Sequence, residues 1–254
     1  MTSIKKSNLP IYIGGCIATL VTCFSGALQA REAGMYGTTD WTTTCSANDL
    51  STWDNMVDAW YNRIDDFGWY SKDRRWVDGS INNNPLCDPD RSPGCSDGYN
   101  MDEQDAVMIF GHGADLGDHW GMVMRNKGAN GSCWIEHPGA AEPAYRQYAG
   151  DYDLEFLHIS SCNSMDDDNL PNTWRAMRDP VDTPNNGRRL HQMDGFHGFM
   201  WIGSSLTNNY KEFAEDAYWM SIKSSWLYNH YVTGINGYAT QCPVAYAVGA
   251  NSSD

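Results

Sequence analysis

"DLEFLHISSCNSM", residues 153–165, is the stretch on which the reading of this chain turns. An apolar run from Leu154 to Ile159 stops at Ser160, Ser161 and Cys162. Polar residues follow at once: Asn163, Ser164, then Asp166, Asp167 and Asp168. A short run without polar alternation is what a strand buried on both faces requires, as in a parallel sheet. Its abrupt end leaves two readings of Cys162. It is half of a disulfide, or it is a nucleophile held at a strand tip.

Upstream, Ala106-Val107-Met108-Ile109-Phe110 has the same continuous apolar character and ends in Gly111-His112-Gly113. Downstream, "GFHGFMWI", residues 195–202, is a third such run and ends in Gly203-Ser204-Ser205. Gly34 to Thr44 reads as a short strand-like opening and Pro243 to Val248 as a last strand. Between the strands, Trp53, Met56, Val57, Trp60 and Ile64 recur at helical spacing after Asp49-Leu50-Ser51-Thr52. Short helices are expected over 142–148 and 172–178, and one long amphipathic helix over Asn208 to Tyr231. Ser71 to Asn100, rich in Pro, Gly, Asn and Asp, reads as a long loop, and residues 113–140 as a glycine-rich one. Strands alternating with helices imply an α/β domain layered around a mostly parallel sheet.

The N-terminus reads differently. Lys5 and Lys6 precede an apolar stretch from Ile11 to Leu28, closed by Ala-Leu-Gln-Ala at Ala30. A positive start, an apolar middle and small residues before the cleavage point describe a secretory signal peptide, residues 1–30. Residues 31–254 are then a single domain with a loop insert at about 71–100, and the expected location is secreted or periplasmic. Cys16 and Cys23 leave with the signal, and six cysteines remain: Cys45, Cys87, Cys95, Cys133, Cys162 and Cys242. Six allow three bridges in any of about 15 pairings. Cys87 and Cys95, close together in one loop, are the first pair expected. The net charge of −15 becomes more negative once two lysines are removed, which argues against nucleic acid and membrane surfaces as partners. Eleven Trp and fourteen Tyr fit a well-packed secreted core, or aromatic contacts to a peptide or glycan.

Functional sites of open parallel sheets lie at the carboxyl ends of the strands. If the runs ending at Phe110 and Ile159 are neighbours, His112 and Cys162 share one rim. A thiol is mostly protonated at neutral pH and needs a nearby imidazole or amide donors to act as a nucleophile. Gly113 lets the backbone turn its N–H into such a site, where with the N–H of Cys162 it would form an oxyanion hole. Loss of one such donor often lowers a rate about 100- to 1000-fold.

The ordered pair "AVMIFGHG" and "LEFLHISSC", with 50 residues from His112 to Cys162, resembles the caspase–gingipain–legumain superfamily of cysteine peptidases. The resemblance implies a caspase-like three-layer α/β/α sandwich and hydrolysis of a peptide bond after a preferred residue. It assigns attack to Cys162, assistance of the leaving amine to His112 and part of the oxyanion site to Gly113. Ser204 and Ser205 fall where that family shapes its specificity pocket. The superfamily's Gln-Ala-Cys signature is absent; Ser160 and Ser161 precede Cys162. From charge, Asp166 and Asp194, with Asp167 and Asp168, point to a cationic side chain in the substrate, and Trp120 is placed at the cleft. No metal or cofactor is expected: no Cys or His cluster has zinc spacing, and the Asp166–Asp168 run lacks the spacing of a calcium loop. No Gly-x-Ser-x-Gly elbow marks a serine hydrolase. The rival reading is a non-enzymatic extracellular binding module of the same fold with Cys162 in a disulfide. A third is a glycan-active protein using aromatic residues with paired aspartates.

Overall fold

The apolar run at Ala106–Phe110 is uniformly buried because both of its faces carry core. The computed structural model describes residues 31–90, 92–139, 147, 153–176, 190–235 and 239–247. In it this run is strand β3, and all five of its residues are buried. Alternate side chains go to opposite faces of a strand. Val107 and Ile109 join a core with Tyr36, Leu157, Ile159 and Met193. Ala106, Met108 and Phe110 join a second with Trp53, Met56, Trp60, Phe213 and Trp226. Each such fully buried large side chain contributes on the order of 1.5–3 kcal/mol.

Among the described residues the larger sheet has seven strands. They are β1 (Arg31–Gly37), β2 (Tyr70–Val77), β3 (Ala106–Phe110), β7 (Phe156–Ser160), β8 (Gln192–His197), β9 (Val232–Ile235) and β10 (Ala239–Ala247), in the order β2-β1-β3-β7-β8-β10-β9. The pairs from β2 to β8 are parallel, and β10 pairs antiparallel with both β8 and β9. The fold is therefore mixed α/β around a mostly parallel sheet. Helices α1 (Trp53–Arg63), α3 (Thr207–Asp216) and α4 (Ile222–His230) pack on one face through the second core. Helix α2 is Leu170–Ala176, and its Ala176 sits in the first core.

Several expected elements change shape. Residues 71–77 of the supposed loop, with Tyr70, form the edge strand β2, whose Lys72, Asp73 and Arg75 stand exposed. Charged side chains on an edge erase the apolar pattern that marks inner strands, and they discourage pairing with another chain. Residues 113–140 hold a three-stranded antiparallel sheet, β4 (Gly113–Asp115), β5 (Trp120–Val123) and β6 (Trp134–Glu136), which covers the first core with Trp120, Met122 and Ile135. The third apolar run begins its strand earlier and stops at His197, because Gly198 takes a positive φ of 70° and turns the chain. The single helix expected over 208–231 is two. Ser221 caps the second by accepting the Ser224 N–H at 3.2 Å. Helix α1 keeps the expected buried face of Trp53, Met56, Val57 and Trp60. The expected signal peptide and nearly all of the 142–148 helix lie outside the described residues.

Two disulfides hold loops in place, Cys87–Cys95 and Cys45–Cys133. The first is the expected pair. Cys162 and Cys242 belong to neither. No helix among the described residues is long and apolar enough to cross a membrane.

Candidate active site

Strands β3 and β7 are parallel neighbours, paired from Ala106 with Phe156 to Phe110 with Ser160. His112 lies two residues past the last β3 pair and Cys162 two residues past the last β7 pair, so both occupy the same carboxyl rim of the sheet. The tips are tied together. Ser161 Oγ donates to the Gly111 carbonyl at 2.8 Å, and Trp120 Nε1 donates to the Cys162 carbonyl at 3.0 Å. Gly113 fits against both: a methyl there would collide with Ser161 Oγ, the Cys162 carbonyl and Trp120 Nε1.

Below the tips, Trp53 Nε1 donates to Ser160 Oγ at 3.0 Å, and Ser160 Oγ pairs with Tyr210 Oη at 2.6 Å. Both hydroxyls are buried. Asn163, immediately after Cys162, adopts the left-handed region with φ 56°, and its N–H donates to the Gly198 carbonyl at 2.7 Å. Asparagine tolerates that conformation better than most residues. The reversal puts Cys162 at the apex of the turn.

His112 is held by backbone and by rings. Its Nε2 lies 2.8 Å from the Asn48 carbonyl. A carbonyl only accepts, so Nε2 carries the proton, and in the neutral ring Nδ1 is the basic nitrogen. Trp41 lies against the ring at 4.8 Å and Trp53 edge-on at 5.7 Å between centroids. Beside it opens a depression of about 410 Å³ lined by Ser46, Ala47, Asn48 and His112.

Cys162 is part-buried, and its Sγ meets the backbone of Met200, with the N–H at 3.4 Å and the carbonyl at 3.7 Å. Burial pushes its thiol pKa up. The Met200 N–H and the residue's own amide oppose that shift, and the Asp166 carboxylate adds to it. The resting thiol is thus protonated at neutral pH, and any attack on an electrophile must hand its proton to a base as the bond forms.

The amide of Gly113 is placed by strand register. His112 pairs with Val123 and Leu116 with His119 through ladder hydrogen bonds, while Gly113 faces Met122 between them. In an antiparallel pair, hydrogen-bonded and non-bonded residue pairs alternate. Gly113 therefore directs its N–H away from β5.

The expected substrate-binding residues scatter. Ser204 and Ser205 are exposed on a single 3-10 turn that leads into α3. The same chain segment carries Met200, the Cys162 partner. Asp166 lies at the rim but is engaged, accepting the Gly198 N–H at 2.6 Å and facing His197 Nδ1 at 2.9 Å. Asp194 is a correction. It is fully buried in mid-strand, bonded to His158 Nδ1 at 2.7 Å and twice to Gln192 Nε2, where no substrate cation reaches it. Strand alternation turned it into the helix-covered core, where His158 already takes up its hydrogen bond. Trp120 is also a correction: it is fully buried beneath Cys162 and supports the tip instead of facing a cleft. Cys133 is joined to Cys45, and Cys162 is a free thiol in this structure.

Asn48, Met200, Trp41 and Trp53 were missed as neighbours of the site. Asn48 and Met200 act through backbone atoms, which leave no trace in residue identity. In the sequence Trp53 marks only one position of a buried helical face.

Residues 39–251 match a family described as a domain of unknown function, DUF6345. No curated protein matches the chain. The matched span holds both strand tips and all the residues that position them, and the chain belongs to the DUF6345 family.

Proposed function

We propose that the protein is a cysteine-type hydrolase that cleaves peptide bonds with Cys162 as nucleophile and His112 as proton carrier. The observation that carries this reading is the parallel pairing of β3 with β7, which brings the two residues to one rim. Three others support it. Cys162 is outside both disulfides. His112 is held in the tautomer that leaves Nδ1 basic. An open depression adjoins the imidazole.

In the proposed reaction Sγ attacks the scissile carbonyl while its proton passes to His112 Nδ1. The carbonyl oxygen becomes an oxyanion, stabilised by the Gly113 N–H. Collapse expels the amine with the proton from His112, leaving a thioester that water hydrolyses. Because Cys162 is protonated at rest, proton transfer accompanies attack instead of preceding it. The resemblance to the caspase–gingipain–legumain superfamily, and with it the caspase-like form of the α/β fold, belongs to this proposal. So does preference for a basic residue, which now rests on Asp166, Asp167 and Asp168 at the rim. Two disulfides are compatible with an exported protein, as proposed from the leader.

The test is hydrolysis of a fluorogenic peptide library varied at the residue before the cleaved bond. Cleavage that disappears in both Cys162→Ala and His112→Ala, with each variant folded, is the expected result. Cleavage that survives Cys162→Ala, or its absence across the library together with Cys162 alkylation indifferent to His112→Ala, would defeat the proposal.

A further inference from the structure

At the opposite, amino-terminal end of the parallel strands lies a cavity of about 230 Å³. It opens between the starts of β1, β2, β3 and β7 and the helices α1 and α3. Its walls are apolar and largely aromatic: Trp60, Ile64, Phe156, Phe213, Ala214 and Ala217 among them. Arg31, Glu155 and Trp69, the last 63 % exposed, also line it.

Among the polar side chains that line this cavity, one is buried. His158 is 2 % exposed. Its Nδ1 is committed to Asp194 at 2.7 Å, and Gln192 Nε2 holds both oxygens of that carboxylate at 2.7 and 2.8 Å. Trp60 meets the ring edge-on at 5.7 Å, Phe213 edge-on at 4.9 Å, and Trp226 stacks on it at 5.8 Å. With Nδ1 turned toward β8, the edge left for the cavity carries Nε2, which bonds to none of the described residues. That nitrogen is left able to hydrogen-bond to a guest or a water in the cavity. The hydrolase proposal makes no use of this cavity.

We infer that this cavity is a binding site for a single-ring aromatic molecule bearing one hydroxyl, the ring seated among Trp60, Phe156 and Phe213 and the hydroxyl bonded to His158 Nε2. The size fits one ring with a short substituent, since an apolar cavity of about 150 Å³ already holds benzene. Flat aromatic walls favour a flat guest through offset and edge-on ring contacts. A hydroxyl is the matching polar group because it both donates and accepts, and so serves Nε2 whether or not that nitrogen is protonated. A carboxylate placed at His158 would be buried next to the Asp194–His158 pair, at a large desolvation cost.

The test is titration of the purified protein with p-cresol, and with toluene as the analogue lacking the hydroxyl, by calorimetry. Saturable one-to-one binding of p-cresol is expected, about 3- to 10-fold tighter than toluene, the range one net hydrogen bond gives. Ala217→Leu fills the mouth and should weaken p-cresol binding at least about 10-fold. In the wild-type protein, nuclear Overhauser contacts should join the p-cresol ring to the Ala214 and Ala217 methyls, a readout that does not depend on how any variant folds. The inference is overturned if p-cresol shows no saturable binding up to its solubility limit, if toluene binds as tightly, or if those contacts are absent. It is equally overturned if a folded Ala217→Leu protein binds p-cresol as the wild type does.

Discussion

Gly113→Ala places one methyl between the two halves of the candidate site, and its cost can be worked from the geometry. The added carbon would stand 2.5 Å from Trp120 Nε1, and closer still to Ser161 Oγ and the Cys162 carbonyl. Carbon contacts are comfortable at about 3.5–4.0 Å, so three groups must each retreat by about 1 Å. None is the loose end of a flexible chain. The carbonyl is backbone at the β7 tip, Trp120 is fully buried, and Ser161 Oγ is anchored on Gly111. Overpacking of this kind costs about 1–3 kcal/mol, and breaking the Trp120–Cys162 hydrogen bond adds about 1 kcal/mol. Alanine stiffens the unfolded chain relative to glycine and returns about 0.4–1 kcal/mol. The expected net loss is about 1–3.6 kcal/mol. Urea denaturation should show it as a lower midpoint with unchanged slope, and a thermal scan as a fall of roughly 2–14 °C. The same substitution should change the alkylation rate of Cys162, because the methyl pushes on that residue's own carbonyl. A variant within about 0.5 kcal/mol of wild type with an unaltered Cys162 rate would refute the contact between the tips, and with it the shared rim.

Three further outcomes are expected. Removing the Cys45–Cys133 bridge by the double change to alanine frees a loop of 88 residues and should cost roughly 4–5 kcal/mol by loop-closure entropy, read as a shift in denaturation midpoint; a loss under about 1 kcal/mol would deny the bridge its role. His137 and His230 are fully buried, and burial holds each pKa down to about 3; below pH 6.5 the unfolded chain binds protons these rings refuse, so stability should fall by about 1.4 kcal/mol per pH unit for each as pH drops from 6.5 toward 3. Buried Asp194 and half-buried Asp105, whose pKa values burial raises, act with the opposite sign, since the folded state then holds protons that the unfolded chain releases; the histidine share is the part of the fall in denaturation midpoint from pH 6 to pH 5 that is lost in folded His137→Gln and His230→Gln variants. Iodoacetamide labelling of Cys162 in the unliganded protein should stay slow at neutral pH and accelerate only above the usual thiol range, since burial raises its pKa; fast labelling at pH 7 would show that the thiolate is already formed.

Elements whose burial is complete were legible in the residues alone. Ala106–Phe110 is apolar throughout, and Leu154, Phe156, Leu157 and Ile159 mark the next strand, because core covers both faces, and Trp53 to Ile64 repeats at helical spacing because one face is covered. Strand β2 is not legible in the residues because this edge strand is only partly covered and keeps Ser71, Lys72, Asp73 and Arg75 exposed, with Tyr70, Trp76 and Val77 against the cores. The split of the last long helix is not legible either, because Ser221 is an ordinary polar residue until its hydroxyl is seen to take the Ser224 N–H.

The candidate site divides along the same line. His112 and Cys162 stood out by themselves, because a glycine-flanked histidine and a cysteine each end an apolar strand, and strand ends are where a parallel sheet exposes chemistry. Their adjacency, the Asn48 carbonyl behind the imidazole and the Met200 amide on the thiol came only with the tertiary structure, since backbone atoms are common to every residue. Charge misled at Asp194, because a carboxylate's sign says nothing of which face of a strand carries it; one step of alternation put it inside, against His158. Local periodicity records how much of an element is covered. Which groups from distant segments meet is decided by the order and register in which the covered elements pair.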